Sequence, residues 1–562
     1  MNGPGLGRIH AVAVERVDSP KASKPLCASG RINALFARVR FTRVGVNAGH
    51  LSVVSFSEGE RTSTACSRLS RRWLLRTIVA LTLVRLLAAA PPEPTRQPLG
   101  RVADLNVGES QEIRLANGSK ATVRLVGVSV QRDTMSEAVR SARVHVEVNG
   151  TPVTLGCATY HLPVTVAGVQ IDCSMVKAYN SNSGSDSWAL EKDARLRLWP
   201  AGSPLMEPGT FGYPLKQKWF ATSTQMGNDP TYVDGSDQPQ RKKIYYHNDL
   251  DFGGCEGLIE IVAATDGLVV SAANKTLPGY ENTPARPRYD VVYLLDDRGW
   301  YYRYSHMESI DPAIQPGKTV KRGQKVGVLG KEGGSGGWSH LHFGIVSRQP
   351  SGRWGTEEAY AYAWESYRKE YQPKIVAVAR PHHFVTVGEK LILDATKSWS
   401  EVGKIVKYDW TFFDGQQASG ATIERVYRKP GAYSEVLKVT DARGNVAYDF
   451  AIVQVIDSAN LDKLPPAIHP TYAPTMGIKS GAPVTFKVRS FRTTHGSESW
   501  DFGDSSAAVT VKSDGNVKQL AKDGYAVTTH RFARPGTYIV TVERENEFGH
   551  KAIGHLAVEV EK

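Results

Sequence analysis

From Leu99 onward the chain is written in short runs that alternate apolar and polar residues, each closed by a turn signal. QEIRLANG, ATVRLVGVSV, RVHVEVNG, TPVTLGC, TVAGVQIDC and ARLRLWP succeed one another as far as Pro200, punctuated by Asn117-Gly118 and Asn149-Gly150. A side-chain period of two puts one face of each run on a core and the other in water. Asn-Gly supplies the positive φ angles that a two-residue hairpin loop demands. The pattern predicts an all-β unit over 95–200 with no catalytic constellation of its own. The chain has 562 residues, too many for one core, with 52 Gly and 30 Pro. The expectation is a mainly β protein of several domains.

Further along, a Gly-rich and aromatic-rich β segment spans 201–372, and VAVARPHHF opens a new region near residue 375. Two later segments resemble each other. One contains DATKSWS, YDWTFFDG and RKPGAYSEVLKVTDARGN; the other contains ESWDFGDS and RFARPGTYIVTVERENEFGH. This is an internal repeat of roughly ninety residues. Each copy joins a Trp-centred strand to a Pro-Gly turn and an alternating strand, which fits a small β-sandwich. The copies are expected at 375–457 and 464–562.

Tyr408-Asp409-Trp410-Thr411-Phe412-Phe413-Asp414-Gly415 with Pro430-Gly431-Ala432-Tyr433, and Trp500-Asp501-Phe502-Gly503-Asp504 with Pro535-Gly536-Thr537-Tyr538, resemble PKD domains. Phe413 and Ser505 stand where that family usually has Gly. The resemblance implies two immunoglobulin-like spacer or adhesion modules, with a cell-surface polysaccharide or protein as their partner. Trp410 and Trp500 are expected in the two cores.

The formal net charge of +13 is concentrated at the start. Residues 1–90 hold 14 Lys and Arg against 4 Asp and Glu, so about +3 remains for everything else. No basic stripe in that remainder argues for a nucleic-acid partner. Ser70–Pro94, SRRWLLRTIVALTLVRLLAAAPPEP, runs from a basic start through an apolar middle to small residues, the order of a secretory signal. Its opening resembles the twin-arginine export motif. Export, to the periplasm, the cell surface or beyond, is therefore expected, with the signal at 65–94. A signal does not ordinarily follow some sixty residues, so 1–64 is expected to be a non-native or disordered extension. Five cysteines, Cys27, Cys66, Cys157, Cys173 and Cys255, form no CxxC pair, which argues against a thiolate zinc site. Cys157 and Cys173 could close a hairpin disulfide in an exported protein, or remain two buried thiols.

The chemistry gathers in 240–345. His340 and His342 in SHLHF share one face of a strand, with Leu341 opposite. His247 and Asp251 are four apart, again an even number, and face one way on an extended segment. Imidazole and carboxylate suit zinc, and a catalytic zinc site takes three protein ligands and leaves one position open. His247, Asp251 and one of the SHLHF pair make three; the other histidine and His306 remain over for proton transfer. Asp249 competes with Asp251 as a ligand on composition alone, and Cys255 and Glu256 stand near in sequence. The run Gly333-Gly334-Ser335-Gly336-Gly337 lacks the Lys-Ser/Thr of a phosphate loop and is expected to turn the chain into SHLHF beside a groove. Tyr302, Tyr304 and Trp338 line that groove or pack beneath it.

His247-x-x-x-Asp251, IVAATDGLVVSA, YRYSHM, IQPGKTVKRGQKVGVLG and SHLHF occur in the order found in lysostaphin (LytM)-type zinc endopeptidases, which cut peptidoglycan cross-bridges. The resemblance covers about 240–348. It implies a small antiparallel β-sheet core with a narrow groove, His247, Asp251 and His342 as ligands of Zn2+, and His306 and His340 as the unligated catalytic histidines. Asp249 departs from the Gly usual there. The resemblance implies an exported zinc endopeptidase acting on peptidoglycan peptides. The other readings are a secreted protease of extracellular proteins and a non-catalytic surface scaffold.

Overall fold

The computed structural model describes residues 91–562, apart from 136, 184–185, 223 and 226–244. The extension at 1–64, the export segment except its last four residues, Cys27 and Cys66 lie outside the described residues. Among those described, no helix is long and apolar enough to cross a membrane.

Two four-stranded sheets make the first unit. One is a meander of Ser110–Arg114, Lys120–Arg132, Val139–Val148 and Thr151–Gly156. Its last hairpin pairs Val148 with Thr151, so Asn149 and Gly150 alone make the loop, both at positive φ (+48° and +78°). The other sheet runs Arg101–Leu105, Ala194–Pro200, Val169–Val176, Val164–Val166. Alternate residues such as Val144, Val146 and Val148 fill the core between them. Cys157 bridges Cys173 in parallel fashion, both buried and both free thiols. Of the two arrangements the sequence left open, the structure has the two buried thiols, with Cys173 Sγ donating to the Met175 carbonyl at 3.4 Å.

The second unit carries the histidines. Its strands are β1 (Leu250–Gly253), β2 (Glu260–Val262), β3 (Gly267–Ala272), β4 (Val292–Leu295), β5 (Tyr301–Ser305), β6 (Met307–Ile310), β7 (Lys325–Leu329), β8 (His340–Arg348) and β9 (Trp354–Glu357). The large antiparallel sheet is ordered β3-β4-β5-β8-β1, with β9 also on β8; β2-β7-β6 form a small second sheet. A helix, α1 (Tyr360–Tyr371), follows β9. Sequence periodicity did not announce it, because seven of its twelve residues are buried and no polar face stands out. Its Tyr360, Trp364 and Tyr367 pack on Trp219, and Tyr213 touches Tyr367 and Phe252. This aromatic core backs the sheet that holds the site.

The first unit grips the second through buried ion pairs. Arg197, 1% exposed, reaches both Asp172 in its own sheet and Glu357 in β9. Tyr246, next to His247, lies in the first unit's core, and its hydroxyl accepts the Val139 N–H at 2.7 Å.

The two C-terminal units are β-sandwiches, and Trp410 and Trp500 are buried in their cores as expected. They share a ten-stranded sheet: Gly431–Ala432 of the first pairs in parallel with Lys551–Ala552 of the second. Phe413 stacks on Tyr433 with ring centroids 4.0 Å apart, and Ser505 takes φ +67°, a conformation Gly adopts without steric cost.

Candidate metal centre

Antiparallel register assembles the site. Asp251 of β1 stands opposite His342 of β8, and Ser305 at the end of β5 opposes His342 from the other side. Opposed residues share a face of the sheet. His340 therefore joins His342 and Asp251 there, while Leu341 points into the core, fully buried. His247 precedes β1, and the chain bends at Asp249. The bend, rather than strand parity, brings His247 to Asp251.

Three donor atoms converge. His247 Nε2 lies 3.1 Å from Asp251 Oδ1 and 3.1 Å from His342 Nδ1; His342 Nδ1 lies 2.9 Å from Asp251 Oδ1. Donors at about 2.0–2.2 Å from a tetrahedral zinc stand roughly 3.3 Å from one another. The residues fit that ion, and among the described residues they are the one His/Cys/Asp/Glu group close enough to share a metal. Burial alone would raise the Asp251 carboxyl. The neighbouring imidazoles, His247 foremost by its charge and its hydrogen bond, outweigh it and hold the group well below the ordinary carboxylate range.

Asp249 lies outside that trio. Its Oδ2 sits 2.8 Å from the far nitrogen of His342, Nε2, with Arg303 Nη1 at 3.9 Å. With the Nε2 proton donated to this carboxylate, His342 turns a bare Nδ1 toward Asp251 and His247; Arg303 Nη1, 3.2 Å from the same Nε2, is then left to face the Asp249 carboxylate. Gly344, next on that face of β8, makes this geometry attainable. A Cβ there would fall 2.4 Å from Asp249 Oδ2. Cys255 and Glu256 stand apart: burial pushes the Cys255 thiol up to about 11, and Glu256 pairs with the buried Lys331.

His306 lies between β5 and β6 at φ +67°, an uncommon conformation for a non-glycine residue. Its N–H donates to Asp290 Oδ2 at 3.0 Å, and Arg288 holds that carboxylate. Its ring Nδ1 donates to the Glu332 carbonyl at 2.6 Å. His340 repeats the arrangement, with Nδ1 donating to the Trp338 carbonyl at 3.1 Å. Both rings thus carry the proton on Nδ1 and present an unprotonated Nε2. The His340 Nε2 stands 3.3 Å from Asp251 Oδ2, and the two rings lie 4.6 Å apart. Burial lowers the basicity of both imidazoles, that of His340 most strongly, so each is neutral and able to accept a proton at pH 7.

The structure brings together all five sequence-predicted residues. It also supplies partners that sequence reasoning passed over: Asp290 and Arg288 behind His306, and Arg303 beside His342. A lone cation inside YYRYS was the available signal for Arg303, since its parity opposes Tyr302 and Tyr304. Those two tyrosines belong to the core and not to a groove, their hydroxyls bonded to Asp296 and to the Ala264 N–H. Trp338 stacks on His340, centroids 3.8 Å apart and planes inclined by 18°.

Residues 245–352 match the family model for Peptidase family M23. Residues 372–455 and 471–554 each match a PKD domain. The chain is similar to Peptidoglycan DD-endopeptidase ShyA of Vibrio cholerae, 28% identical over 136 residues, which are 24% of this chain and 27% of that protein. It is similar to Collagenase ColA of Clostridium perfringens, 34% identical over 86 residues, 15% of this chain and 8% of that protein. It thus spans about a quarter or less of the length of these curated relatives. Among solved structures, the PKD1 domain of the Vibrio cholerae metalloprotease PrtV aligns at 30% identity and TM-score 0.13, covering 15% of this chain and all of that one.

Proposed function

We propose, for a chain that carries a Peptidase family M23 domain followed by two PKD domains, an exported zinc endopeptidase that hydrolyses peptide bonds of peptidoglycan. The observation that carries it is the pairing of a three-donor cluster, His247, Asp251 and His342, with two neutral histidines whose Nε2 atoms are unprotonated. Bound there, zinc would polarise the scissile carbonyl and lower the pKa of a water toward 7. His306 or His340 takes the proton of the attacking water on Nε2. The pair then stands beside the oxyanion of the tetrahedral intermediate, one ring now charged. Asp290 and the Glu332 carbonyl keep His306 oriented throughout.

Peptidoglycan as substrate draws on the ShyA likeness and on the resemblance to lysostaphin-type enzymes. The PKD domains fit a role on cell-surface polysaccharide or protein. Proteolysis of extracellular protein is the second reading, favoured by the ColA likeness. One assay separates them: the full chain with zinc, against peptidoglycan sacculi and against casein. Release of soluble peptide-bearing fragments from sacculi, lost in His306→Ala, is the expected result. Cleavage of casein alone favours the second reading, and inactivity on both with zinc bound favours a scaffold.

A further inference from the structure

The carbonyls that orient the two histidines belong to one short loop. Glu332 holds His306 and Trp338 holds His340, and between them lies Gly333–Gly337. Gly333, Gly336 and Gly337 all take positive φ, so the loop's path is one that residues with side chains resist. Its own domain holds both ends, the Gly333 N–H donating to the Tyr289 hydroxyl at 2.8 Å and Ser339 Oγ to the Gly254 carbonyl at 2.6 Å, and the second PKD domain adds contacts along 336–339.

Four points of attachment are resolved. Arg489, with a fully buried side chain, donates from Nη1 to the Gly337 carbonyl at 2.5 Å while Asp514 grips its other edge. Asn516 Nδ2 donates to the Gly336 carbonyl at 3.0 Å. The Ser339 N–H donates to the Tyr525 hydroxyl at 2.7 Å, and that hydroxyl lies 3.0 Å from His469 Nδ1. Burial holds His469 down to about 3, so the neutral ring accepts the Tyr525 proton. Finally, Trp338 packs with Ala467 and Phe491 and meets the His469 ring edge-on at 5.1 Å, while its other contact is the stacked His340. The fit at Gly337 is close enough that a Cβ would fall 2.1 Å from Asn516 Oδ1.

We infer that the second PKD domain is part of the catalytic unit: Tyr525, Asn516, Arg489 and His469 are positioning residues that clamp the Gly333–Ser339 loop and, through its carbonyls and Trp338, set both His306 and His340. The inference rests on the peptidase reading above and adds a task to a domain otherwise read as a spacer. It places no residue of that domain on the substrate. Its signature is therefore a loss in kcat with KM and zinc content unchanged.

The test uses the full chain. Tyr525→Phe removes one hydroxyl from the clamp, and Asn516→Gly removes an amide at a residue whose φ of +60° suits Gly. Each is expected to lower kcat about tenfold on sacculi, since small displacements of a catalytic group are costly. Zinc content and KM stay at wild-type values, and backbone amide exchange quickens over 336–342. Trp338→Phe keeps a ring against His340 and retains most of the rate; Trp338→Ala does not. Unchanged kcat in both clamp variants, or a rise in KM alone, overturns the inference. If the wild-type chain cleaves nothing, the functional reading fails instead. The exchange measurement then decides the clamp: an unaltered Ser339 amide in Tyr525→Phe overturns it.

Discussion

The donor trio and the histidine pair are buried side by side but are held by opposite means. Asp251 and His342 sit on adjacent strands in register, and each fixes the other directly. His306 and His340 are instead oriented by backbone carbonyls of a glycine-rich loop that another domain restrains. The difference is instructive. Donors that share a metal must converge on a point, which the sheet does for Asp251 and His342 and the bend at Asp249 completes with His247. Bases must keep a particular nitrogen bare and uncharged, which takes burial and a single acceptor at the other nitrogen.

The sharpest break of that contrast is at Asp251, the carboxylate both groups touch. Asp251→Ala should leave zinc retention and peptide release at background, measured by metal analysis of the dialysed protein and by sacculus turbidity. His306→Ala should separate the two groups: full zinc content, with kcat down about 10²–10⁴-fold, the range of a lost general base. Retained activity there would remove His306 from the mechanism. A milder effect is expected behind the trio. Asp249→Asn should weaken zinc about 10–100-fold in a competition titration against a chromogenic chelator, as losses of such outer carboxylates do. The smallest effect is on stability. Stripping zinc with a chelator should lower the melting temperature reversibly, with about 2.7 kcal/mol regained when free zinc reaches a hundred times its Kd. The same treatment of Asp251→Ala should shift nothing.

The sequence made the chemistry more legible than the architecture around it. Asp251, His340 and His342 were legible as one face because strand parity enforces it; His247, before the bend at Asp249, and His306, between strands at positive φ, were picked out by their motifs and the family resemblance and not by period. Trp410 and Trp500 were legible as cores for the same reason. The loop clamp was not. Arg489, Asn516 and Tyr525 lie some 150 to 190 residues from the atoms they hold, and no local period encodes such a contact. Nor was the shared sheet of the sandwiches, which depends on a two-residue parallel pairing between separate copies. Helix α1 was hidden by being buried on most sides. The spacing of Cys157 and Cys173 left a disulfide and two free thiols open; the fold brings them together across a bridge as free thiols.

Asp249 and Gly344 carry a further consequence. The carboxylate occupies the volume that any side chain at 344 would claim. Gain of a side chain at 344 is blocked while Asp249 remains, and loss of Asp249 leaves a buried hole beside His342. The two positions are therefore coupled in space. A double substitution at 249 and 344 should cost less than the sum of the two single ones.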